Sequence, residues 1–571
     1  MSRQFDLSPN SAGRLLPAWL KRYKREYFSQ DMVAGVIVTM MLIPQSMAYA
    51  IVAGLPPQYG MYASILPLIA YALLGTSMTM AVGPVAVTSL MTASALAPLA
   101  AAGSPEYIAG AALLALFSGI ILLACGVLRL GFVAKLLSNP VISGFTSGSS
   151  LLILIGQIQP LLGVSYDGDH ALTMLVSAFE HISTLHAPTA LMGVGALLAL
   201  LLTRAPVRSG LLMKLAPMFV ILCSIGVVIA MGLHERFAVP VVGDIPGGLP
   251  ALSFPSLLGS GTRALLLPAC LIALVNFVSS ISVAQTLALK RKQRVSADAE
   301  LRALGAANVA SAFSSGFPIS GGFARSLVNF AAGAQTPLAG VISAGMMALV
   351  VCFCTGLFSA LPVSVLAATI IVAVAPAIDL AALKRAWHYD RADALALAGT
   401  AVGVVVLGVE AGIAIGVALS LASLVWRSSH PHIAVLGRVP FTEHFRNVLR
   451  YKTETLPHVL ALRIDENLVF ANAQSVDERI RDEVGQRTEL EHVLLVLSSV
   501  SQIDATALEM LLELNCDLEQ QGLKLHLAEI KGPVLDRLHN SMLISQLSGK
   551  IFLSAHQAFL EFADRADDYS I

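Results

Sequence analysis

The chain has 571 residues, of which 56% are hydrophobic and 13% are charged, and its 36 basic and 36 acidic side chains sum to a formal net charge of zero. Soluble proteins carry about 25% charged residues, so this composition and a mean hydropathy of +0.75 exclude a purely soluble protein. The apolar composition, the lack of a glycine repeat and the presence of only six cysteines also exclude a disordered chain, a collagen-like fibre and a secreted disulfide scaffold.

Two long stretches with almost no charge predict membrane-spanning helices. No Asp, Glu, Lys or Arg occurs from Met32 to Pro105, and Arg325 is the only one from Ala303 to Ile378. Because about 20 apolar residues cross a bilayer as a helix, each stretch holds about three or four crossings, separated by turns rich in glycine and proline. Counted in this way, the sequence predicts a polytopic α-helical membrane protein with fourteen transmembrane segments between about residues 32 and 427.

The basic residues predict the orientation of these segments, since lysine and arginine favour cytoplasmic loops. With the N-terminus inside, twenty basic residues fall in inside loops and two, Arg236 and Arg263, fall in outside loops. The sequence therefore predicts a multi-pass protein of the cytoplasmic (inner) membrane with both termini cytoplasmic. The predicted parts are a cytoplasmic segment over residues 1–31, a membrane domain over 32–428 with halves at about 32–232 and 263–428, and a cytosolic domain over 440–571.

After about residue 428, polar helices alternate with short apolar strands, which predicts one small α/β domain. Buried strands are predicted at 458–464, 493–497 and 524–528. Amphipathic helices are predicted at 505–521 and 556–566.

Glycine and proline interrupt two membrane segments at corresponding places in the two halves. In the first, alternating threonine and methionine precede Gly83 and Pro84, and a helix is predicted to begin at Pro84, because the first helical turn needs no N–H from that residue. In the second, the stretch from Gly316 to Gly322 precedes a helix that contains Arg325. Such paired interruptions indicate a transporter site near the midplane of an inverted repeat.

The chemistry of these helix starts favours an anion. The first N–H groups of a helix lack partners and carry a partial positive charge, so two such ends facing each other attract an oxyanion or a halide. Arg325 adds a full charge that would cost about 2.5 to 3.5 kcal/mol at a bilayer centre. Arg325 either binds substrate or, alternatively, snorkels or caps neighbouring carbonyl groups. The lack of an acidic residue in either long stretch favours a mobile anion as its partner.

Several motifs resemble the sulfate permease (SulP) family, the bacterial relatives of solute-carrier family 26, over nearly the whole chain. The resemblance implies a seven-plus-seven inverted repeat with a core domain and a gate domain, an elevator-like motion, and a homodimer. The matching stretches are Ile43–Ala50, Ala53–Tyr62, Gly75–Ser77, Val82–Val87, Ser143–Gly148 and Arg325–Asn329.

The tail resembles the STAS domain of the same family. The stretch Val493–Leu497 followed by Ile503–Leu508 looks like the central strand of that domain and the loop that opens its next helix. In the related anti-sigma factor antagonists, a Ser or Thr at this helix start can be phosphorylated. The resemblance therefore implies a candidate regulatory site at Thr506 with Asp504 beside it, and a cytosolic protein as a candidate partner. Alternatively, both residues only shape the N-terminus of the helix.

The family's substrate site, carried over position by position, lies on four segments of this chain. The eighth helix, around Asn276–Ala284, is expected to face the same pocket. For Tyr49 and Phe323, ordinary core packing is the alternative. The implied substrate-binding residues are Gln45 and Tyr49, Gly83, Val85 and Ala86, Ser279 and Ser282, and Phe323, Ala324 and Arg325.

The sequence departs from many bacterial members of the family at Ser279, where they look like they carry a Glu or an Asp. A carboxylate beside the anion binds a proton or Na⁺ and couples its gradient to uptake, and a serine does neither well. We therefore expect that this protein does not work as a proton symporter that uses an acidic residue at this position of the eighth helix. It would work as an exchanger, a uniporter, or a symporter with the ion held elsewhere. Met78 also departs from the family, which often has a basic residue there.

The leading functional hypothesis is a secondary active transporter of a small inorganic or carboxylate anion: sulfate, bicarbonate, chloride or a dicarboxylate. A nucleobase transporter of the same fold and a membrane-anchored STAS signalling scaffold are the alternatives. The sequence has no phosphate-binding, dinucleotide-binding, metalloprotease or nucleophile-elbow motif, so we expect no enzyme and no cofactor. We expect no metal site at the histidines around Pro431, and the basic run over 290–294 predicts a topology anchor in the lipid bilayer and no nucleic-acid partner.

Overall fold

A computed structural model of the chain describes residues 17–21, 23–135, 138–164, 171–181, 184–203, 216–255 and 262–567. The chain divides into two compact units, one up to Ser420 and one from Leu421. The first unit is helical, and the second contains a six-stranded sheet. The domain boundaries that the sequence predicts at 31, 428 and 440 stay predictions.

The first half of the helical unit consists of twelve described helices and one short strand. Its apolar stretches form helices because every backbone N–H and C=O group inside a bilayer must be bonded within the protein. The helices α1 to α12, with strand β1 between α4 and α5, lie at Ala18–Lys21, Tyr27–Val52, Pro57–Tyr62, Leu66–Leu74, Val82–Gly83 (β1), Ala86–Leu96, Pro105–Val127, Asn139–Gly156, Ile158–Leu162, Ala171–Glu180, Ala187–Thr203, Ala216–Met231 and Leu233–Phe237.

The second half repeats this pattern of long helices around one short strand. The helices α13 to α20, with strand β2 between α14 and α15, lie at Leu266–Lys290, Ala297–Phe313, Ser320–Gly321 (β2), Phe323–Ala331, Leu338–Phe353, Val363–Val374, Leu380–Tyr389, Arg391–Leu407 and Val409–Ser429.

These elements make up fourteen segments, seven in each half. The first half contributes α2, α3 with α4, β1 with α5, α6, α7, α10 and α11; the second contributes α13, α14, β2 with α15, α16, α17, α19 and α20. In the described part of the chain, six helical stretches are long and apolar enough to cross a membrane, and four more apolar helices have 10–17 residues. The predicted helical membrane architecture is confirmed, and the two interrupted segments contain the short helices α5 and α15, of 11 and 9 residues.

Glycines let helices of the two halves approach closely. Helix α6 packs on α14, where a Cβ atom built on Gly119 would lie 2.9 Å from the carbonyl oxygen of Gly305. Helix α7 packs on α19, where a Cβ atom on Gly148 would lie 2.7 Å from the carbonyl oxygen of Ala401. Small residues permit such contacts, which hold membrane helices together where lipid supplies no hydrophobic driving force.

The second unit is an α/β domain with the strand order β4-β3-β5-β6-β7-β8. Strands β5 to β8 pair in parallel, and β3 and β4 are antiparallel at one edge. One face of the sheet packs on α21, α22 and α23, and the other packs on α25. The strands β3 to β8 lie at Ile433–Arg438, Phe445–Asn447, Val459–Ile464, His492–Val496, Lys524–Ala528 and Ile551–Phe552, and the helices α21 to α25 at Ala473–Gly485, Ala505–Gln520, Gly532–His539, Leu543–Gln546 and Ala555–Asp567.

The three strands and two helices that the sequence predicts in this domain are confirmed, with ends that differ by at most one residue. The sequence pattern did not predict β3, β4, β8, α21, α23 and α24. The two edge strands β4 and β8 have three and two residues, which is too short for an alternating pattern to stand out.

Candidate functional site

The two interrupted segments pair with each other inside the helical unit. Strands β1 and β2 pair antiparallel, with Val82 opposite Gly321 and Gly83 opposite Ser320. Each strand leads into a helix within a few residues, α5 from Ala86 and α15 from Phe323. The ladder therefore brings the starts of two helices, one from each half, side by side.

The predicted start of the first of these helices is wrong by two residues. Pro84 belongs to the extended piece, and α5 begins at Ala86 after Val85, whose φ of −136° and ψ of 150° are extended. The second helix begins after Gly322, which is also extended. Neither helix start has a side-chain cap among the described residues. The first-turn N–H groups of both helices are therefore available to a ligand.

A cavity of about 220 Å³ lies at these two helix starts. Its remaining walls come from α2, α13, α7, and the segment from Ala373 to Ala377 at the end of α17, and they are mostly apolar. Eight of the ten predicted substrate residues line the cavity: Gln45, Tyr49, Val85, Ala86, Ser279, Phe323, Ala324 and Arg325. The sequence-derived site thus comes together as one cavity.

The other two predicted residues, Gly83 and Ser282, lie next to the cavity and do not line it. A Cβ atom built on Gly83 would lie 3.1 Å from Nη1 of Arg325, and the φ of +146° at Gly83 is one that other residues rarely adopt. Ser282 donates its hydroxyl hydrogen to the carbonyl oxygen of Val278 on its own helix, at 2.8 Å. The space that a side chain at position 83 would need is therefore occupied by the arginine, whereas Ser282 bonds within α13.

Arg325 is the third residue of α15 and is 2% exposed. Its Nη1 and Nη2 atoms have no hydrogen-bond partner in the part of the chain that the structure describes. Glycines lie on two sides of the guanidinium group, since a Cβ atom on Gly322 would come within 3.0 Å of Nε and Nη2. A buried charge without partners costs several kcal/mol, so this arrangement favours an acceptor that is not part of the chain.

The two aromatic residues differ in their surroundings. Phe323 is 56% exposed, so core packing does not account for it. Tyr49 is buried and forms part of the cavity wall. At the cavity, the Phe323 ring is therefore accessible, whereas the Tyr49 ring is packed inside the protein.

Ser279 also lies in the cavity wall, where its hydroxyl group donates to the carbonyl oxygen of Val275 at 2.7 Å. The Ser320 hydroxyl is 3.4 Å from that of Ser279. No carboxylate lines the cavity among the described residues. The cavity thus has one formal charge, that of Arg325.

Several residues that the sequence analysis did not assign hold the interrupted segments together. Ser326 accepts a hydrogen bond from the N–H of Ala81 at 2.9 Å, and the Asn329 amide donates to the carbonyl oxygen of Thr79 at 3.0 Å. Ser280 accepts from the N–H of Gly321 at 2.9 Å. These bonds replace the helical ladder where the segments are extended. The spacing of Ser326 and Asn329 after Arg325 was the one available signal, since it places them on the same stretch of helix.

The sequence also did not predict the part of the cavity wall that α7 and the end of α17 form. Phe145, Thr146 and Ser150 of α7 line the cavity together with Val374 and Ala377. The stretch Ser143–Gly148 matches a motif of the family, but its sequence does not show that it faces the starts of α5 and α15.

The candidate regulatory pair lies at the start of α22 in the second unit. Asp504 caps this helix: Oδ1 accepts from the N–H of Ala507 at 2.9 Å and Oδ2 from the N–H of Phe470 at 2.7 Å. Thr506 is exposed. Asp504 thus shapes the helix N-terminus, and Thr506 is accessible to solvent.

Two family models match this chain. The model of the sulfate permease family matches residues 28–400, and the model of the STAS domain matches residues 450–558. The chain belongs to the sulfate permease family. The members of this family are membrane transporters, so the prediction of a transporter and not an enzyme is confirmed.

Relatives of this sulfate permease family protein are similar to it over almost its whole length. A protein of Mycobacterium tuberculosis named "probable sulfate transporter" is 36% identical over 550 residues, which cover 95% of this chain and 97% of the relative. The chloroplastic sulfate transporter 4.1 of Arabidopsis thaliana is 34% identical over 559 residues, covering 95% of this chain and 81% of the relative.

Solved structures show the same fold. Murine solute carrier 26 family member A9, described as an anion transporter in the inward-facing state, matches with a TM-score of 0.88 at 22% identity over 98% of this chain and 96% of that chain. The transmembrane domain of the cyanobacterial bicarbonate transporter BicA matches with a TM-score of 0.61 at 21% identity over 70% of this chain and 98% of its own. The fold of this sulfate permease family member is therefore that of solute carrier 26, with a C-terminal STAS domain.

Proposed function

We propose that this protein is a secondary active transporter that binds a small anion, with sulfate as its first candidate, between the starts of α5 and α15. The observation that carries this proposal is the Arg325 guanidinium, which is 2% exposed, borders a cavity, and has two Nη atoms without partners among the described residues. A mobile anion supplies the acceptors that the chain does not.

The charge of the site fits a divalent anion. Each helix start contributes about half a positive charge, so two starts and one arginine sum to about +2. Sulfate carries two negative charges, whereas chloride carries one. The relatives named as sulfate transporters support the same choice. Bicarbonate and dicarboxylates remain members of the panel to be tested.

We propose an elevator-like motion for the transport step. Hydrogen bonds across β1 and β2 join the interrupted segments of the two halves, which favours movement of these segments as one core. The opposite cavity wall presents mainly apolar side chains, among them Val141, Phe145 and Val374. An apolar contact surface can slide without breaking hydrogen bonds, so α7 and α17 would form the gate.

The cavity wall at Ser279 supports a mechanism without a proton on the eighth helix. Its hydroxyl group is bonded to its own helix, and no described residue brings a carboxylate into the cavity. The protein would therefore work as an exchanger, as a uniporter, or as a symporter with its ion held elsewhere. We place it in the cytoplasmic membrane with both termini cytoplasmic, as a homodimer whose STAS domain binds a cytosolic partner.

Uptake into proteoliposomes tests the proposal. Purified protein is reconstituted, and the entry of labelled sulfate, bicarbonate, chloride, succinate and uracil is measured with and without Na⁺ and at two pH values. We expect saturable sulfate uptake that Arg325→Ala abolishes and that Arg385→Ala, an exposed arginine paired with Asp379, leaves unchanged. Sulfate uptake that survives Arg325→Ala contradicts the site, and uracil uptake without anion uptake contradicts the substrate class.

A further inference from the structure

Two carboxylates, Asp31 and Glu300, are completely buried in the helical unit. Asp31 is on α2 in the first half, and Glu300 is on α14 in the second half. Both accept hydrogen bonds from neutral donors in the opposite half. Neither carboxylate lines the anion cavity, so the site described above does not account for them.

The Glu300 carboxylate binds the point where the first interrupted segment begins. Its Oε1 atom accepts from the N–H of Thr76 at 2.8 Å, from the hydroxyl of Thr76 at 2.6 Å and from the N–H of Ser77 at 3.1 Å. Its Oε2 atom accepts from the Tyr71 hydroxyl at 2.7 Å. Three of these four donors belong to residues 76 and 77, so the carboxylate holds the backbone there in place.

Asp31 makes the same kind of contact after the end of α15, in the connection that leads to α16. Its Oδ1 atom accepts from the N–H groups of Gln335 and Thr336 at 2.6 and 3.0 Å, and its Oδ2 atom accepts from the Thr336 hydroxyl at 2.6 Å. Each carboxylate therefore binds two consecutive backbone N–H groups and the hydroxyl group of a threonine, and each joins one half of the unit to the other.

The segment that begins at Thr76 ends against the arginine of the site. Ser77 accepts from the N–H of Met80, the N–H of Ala81 donates to Ser326, and β1 follows at Val82–Gly83. Gly83 then lies against the Arg325 guanidinium. One end of this short extended segment is thus held by Glu300, and the other end determines the space around Arg325.

We propose that Glu300 is a positioning residue of the anion site, which acts through residues 76–83 to fix the start of α5 and the contact between Gly83 and Arg325. The inference rests on the proposed function for its effect on substrate affinity. Asp31 holds the connection after α15 by the same kind of contact. A carboxylate suits this role because it only accepts hydrogen bonds. A glutamine of the same shape replaces one of the two acceptor oxygens with an NH₂ group, so either the Tyr71 hydroxyl or the donors of residues 76 and 77 lose their acceptor.

The test compares Glu300→Gln and Glu300→Asp with Ser343→Ala, a control that removes another completely buried hydrogen-bonding group, on α16. KM and maximal rate for sulfate uptake are measured per folded transporter, together with amide hydrogen exchange of peptides over 76–83 and 322–326. We expect Glu300→Gln to raise KM at least tenfold and to speed exchange in both peptides. Glu300→Asp should recover part of both effects, and Ser343→Ala should change neither.

A lower thermal midpoint with unchanged KM and unchanged exchange over 322–326 would overturn the proposal, because it would mean that Glu300 only stabilises the fold. If Glu300→Gln does not fold, Thr76→Val removes the 2.6 Å bond from the Thr76 hydroxyl to Glu300, together with the 3.4 Å bond that this hydroxyl accepts from the N–H of Ser296. This variant should raise KM about threefold with faster exchange in both peptides, and unchanged values overturn the proposal. The exchange measurement does not depend on the substrate. A wild-type protein that takes up no sulfate therefore contradicts the proposed function while the exchange result still decides the role of Glu300.

Discussion

Gly83 and Arg325 lie on different halves of the chain and come close together at the site, where a Cβ atom on Gly83 would come within 3.1 Å of Nη1 and 3.4 Å of Nη2 of the arginine. Gly83 also has a φ of +146°. The contact joins two constraints at one residue, because a side chain at this position would strain the backbone and displace the guanidinium group. The position of the guanidinium group therefore depends on a glycine that is more than two hundred residues away in the sequence.

The first prediction concerns this contact. Gly83→Ala should weaken sulfate binding at least tenfold, which corresponds to about 1.4 kcal/mol, because the methyl group pushes the guanidinium out of line with the cavity. Equilibrium binding to purified protein measures the effect. Gly103→Ala is the matched control, since Gly103 has a φ of +76° and no atom would lie within 4 Å of its Cβ. Equal loss of affinity in both variants would refute the role of the contact.

The second prediction concerns the coupling of anion uptake to protons at residue 279. Ser279→Asp should place a negative charge in the cavity wall and weaken sulfate binding at neutral pH at least tenfold, since two like charges about 5 Å apart repel by several kcal/mol at an effective dielectric constant of about 20. Protonation of the aspartate removes this repulsion, so uptake by the variant should rise as the external pH falls.

Uptake by Ser279→Asp and by the uncharged control Ser279→Asn is compared across a pH series. The control should follow the wild-type profile, because it adds no titrating group. A pH dependence of the aspartate variant identical to that of the wild type would show that residue 279 does not face the transported anion.

The sequence predicted the parts of the site that depend on local chemistry. Gly83, Pro84 and Gly322 mark interruptions, and an isolated arginine in an uncharged stretch stands out without any knowledge of the fold. The helix start at Ala86 was misplaced because proline is accepted both in a first helical turn and in an extended strand, and the pairing of β1 with β2 decides between them.

The rest of the site depends on which helices meet, and this information is not local. Thr146 and Val374 face the cavity because α7 and α17 pack around the interrupted segments, and no periodicity in either helix distinguishes that face from a lipid-facing one. Glu300 was unremarkable in sequence because it stands among other charged residues at the start of α14. Its four donors come from residues more than two hundred positions earlier.

The third prediction concerns the cap of α22 in the STAS domain. Asp504→Ala should destabilise this domain by about 1 to 2 kcal/mol, because the N–H groups of Ala507 and Phe470 lose their acceptor. Resistance to pulse proteolysis in urea measures the change in the full-length protein. Thr506→Ala should have an effect below about 0.5 kcal/mol, since Thr506 is exposed. Equal destabilisation by both substitutions would contradict this division of roles.

The last prediction concerns His526 on β7 of the same domain. Burial lowers the pKa of this imidazole to about 4, with the neighbouring His492 as a further cause. The N–H of Lys550 donates to Nδ1 at 2.9 Å, so the neutral ring carries its hydrogen on Nε2, 3.2 Å from Nδ1 of His492. The folded domain therefore holds His526 uncharged, whereas the unfolded chain protonates it below its usual pKa of about 6.5.

The sign of the pH effect follows from this difference. Between about pH 6.5 and pH 4 the unfolded chain binds more protons at His526 than the folded domain does. The free energy of unfolding should therefore decrease as the pH is lowered through this range, by at most about 1.4 kcal/mol per pH unit. Pulse proteolysis of the STAS domain in the full-length protein, repeated from pH 7 to about pH 4, measures the slope. His526→Gln lacks a titrating group and should flatten it. A slope in the variant equal to that of the wild type would assign the pH dependence to other groups.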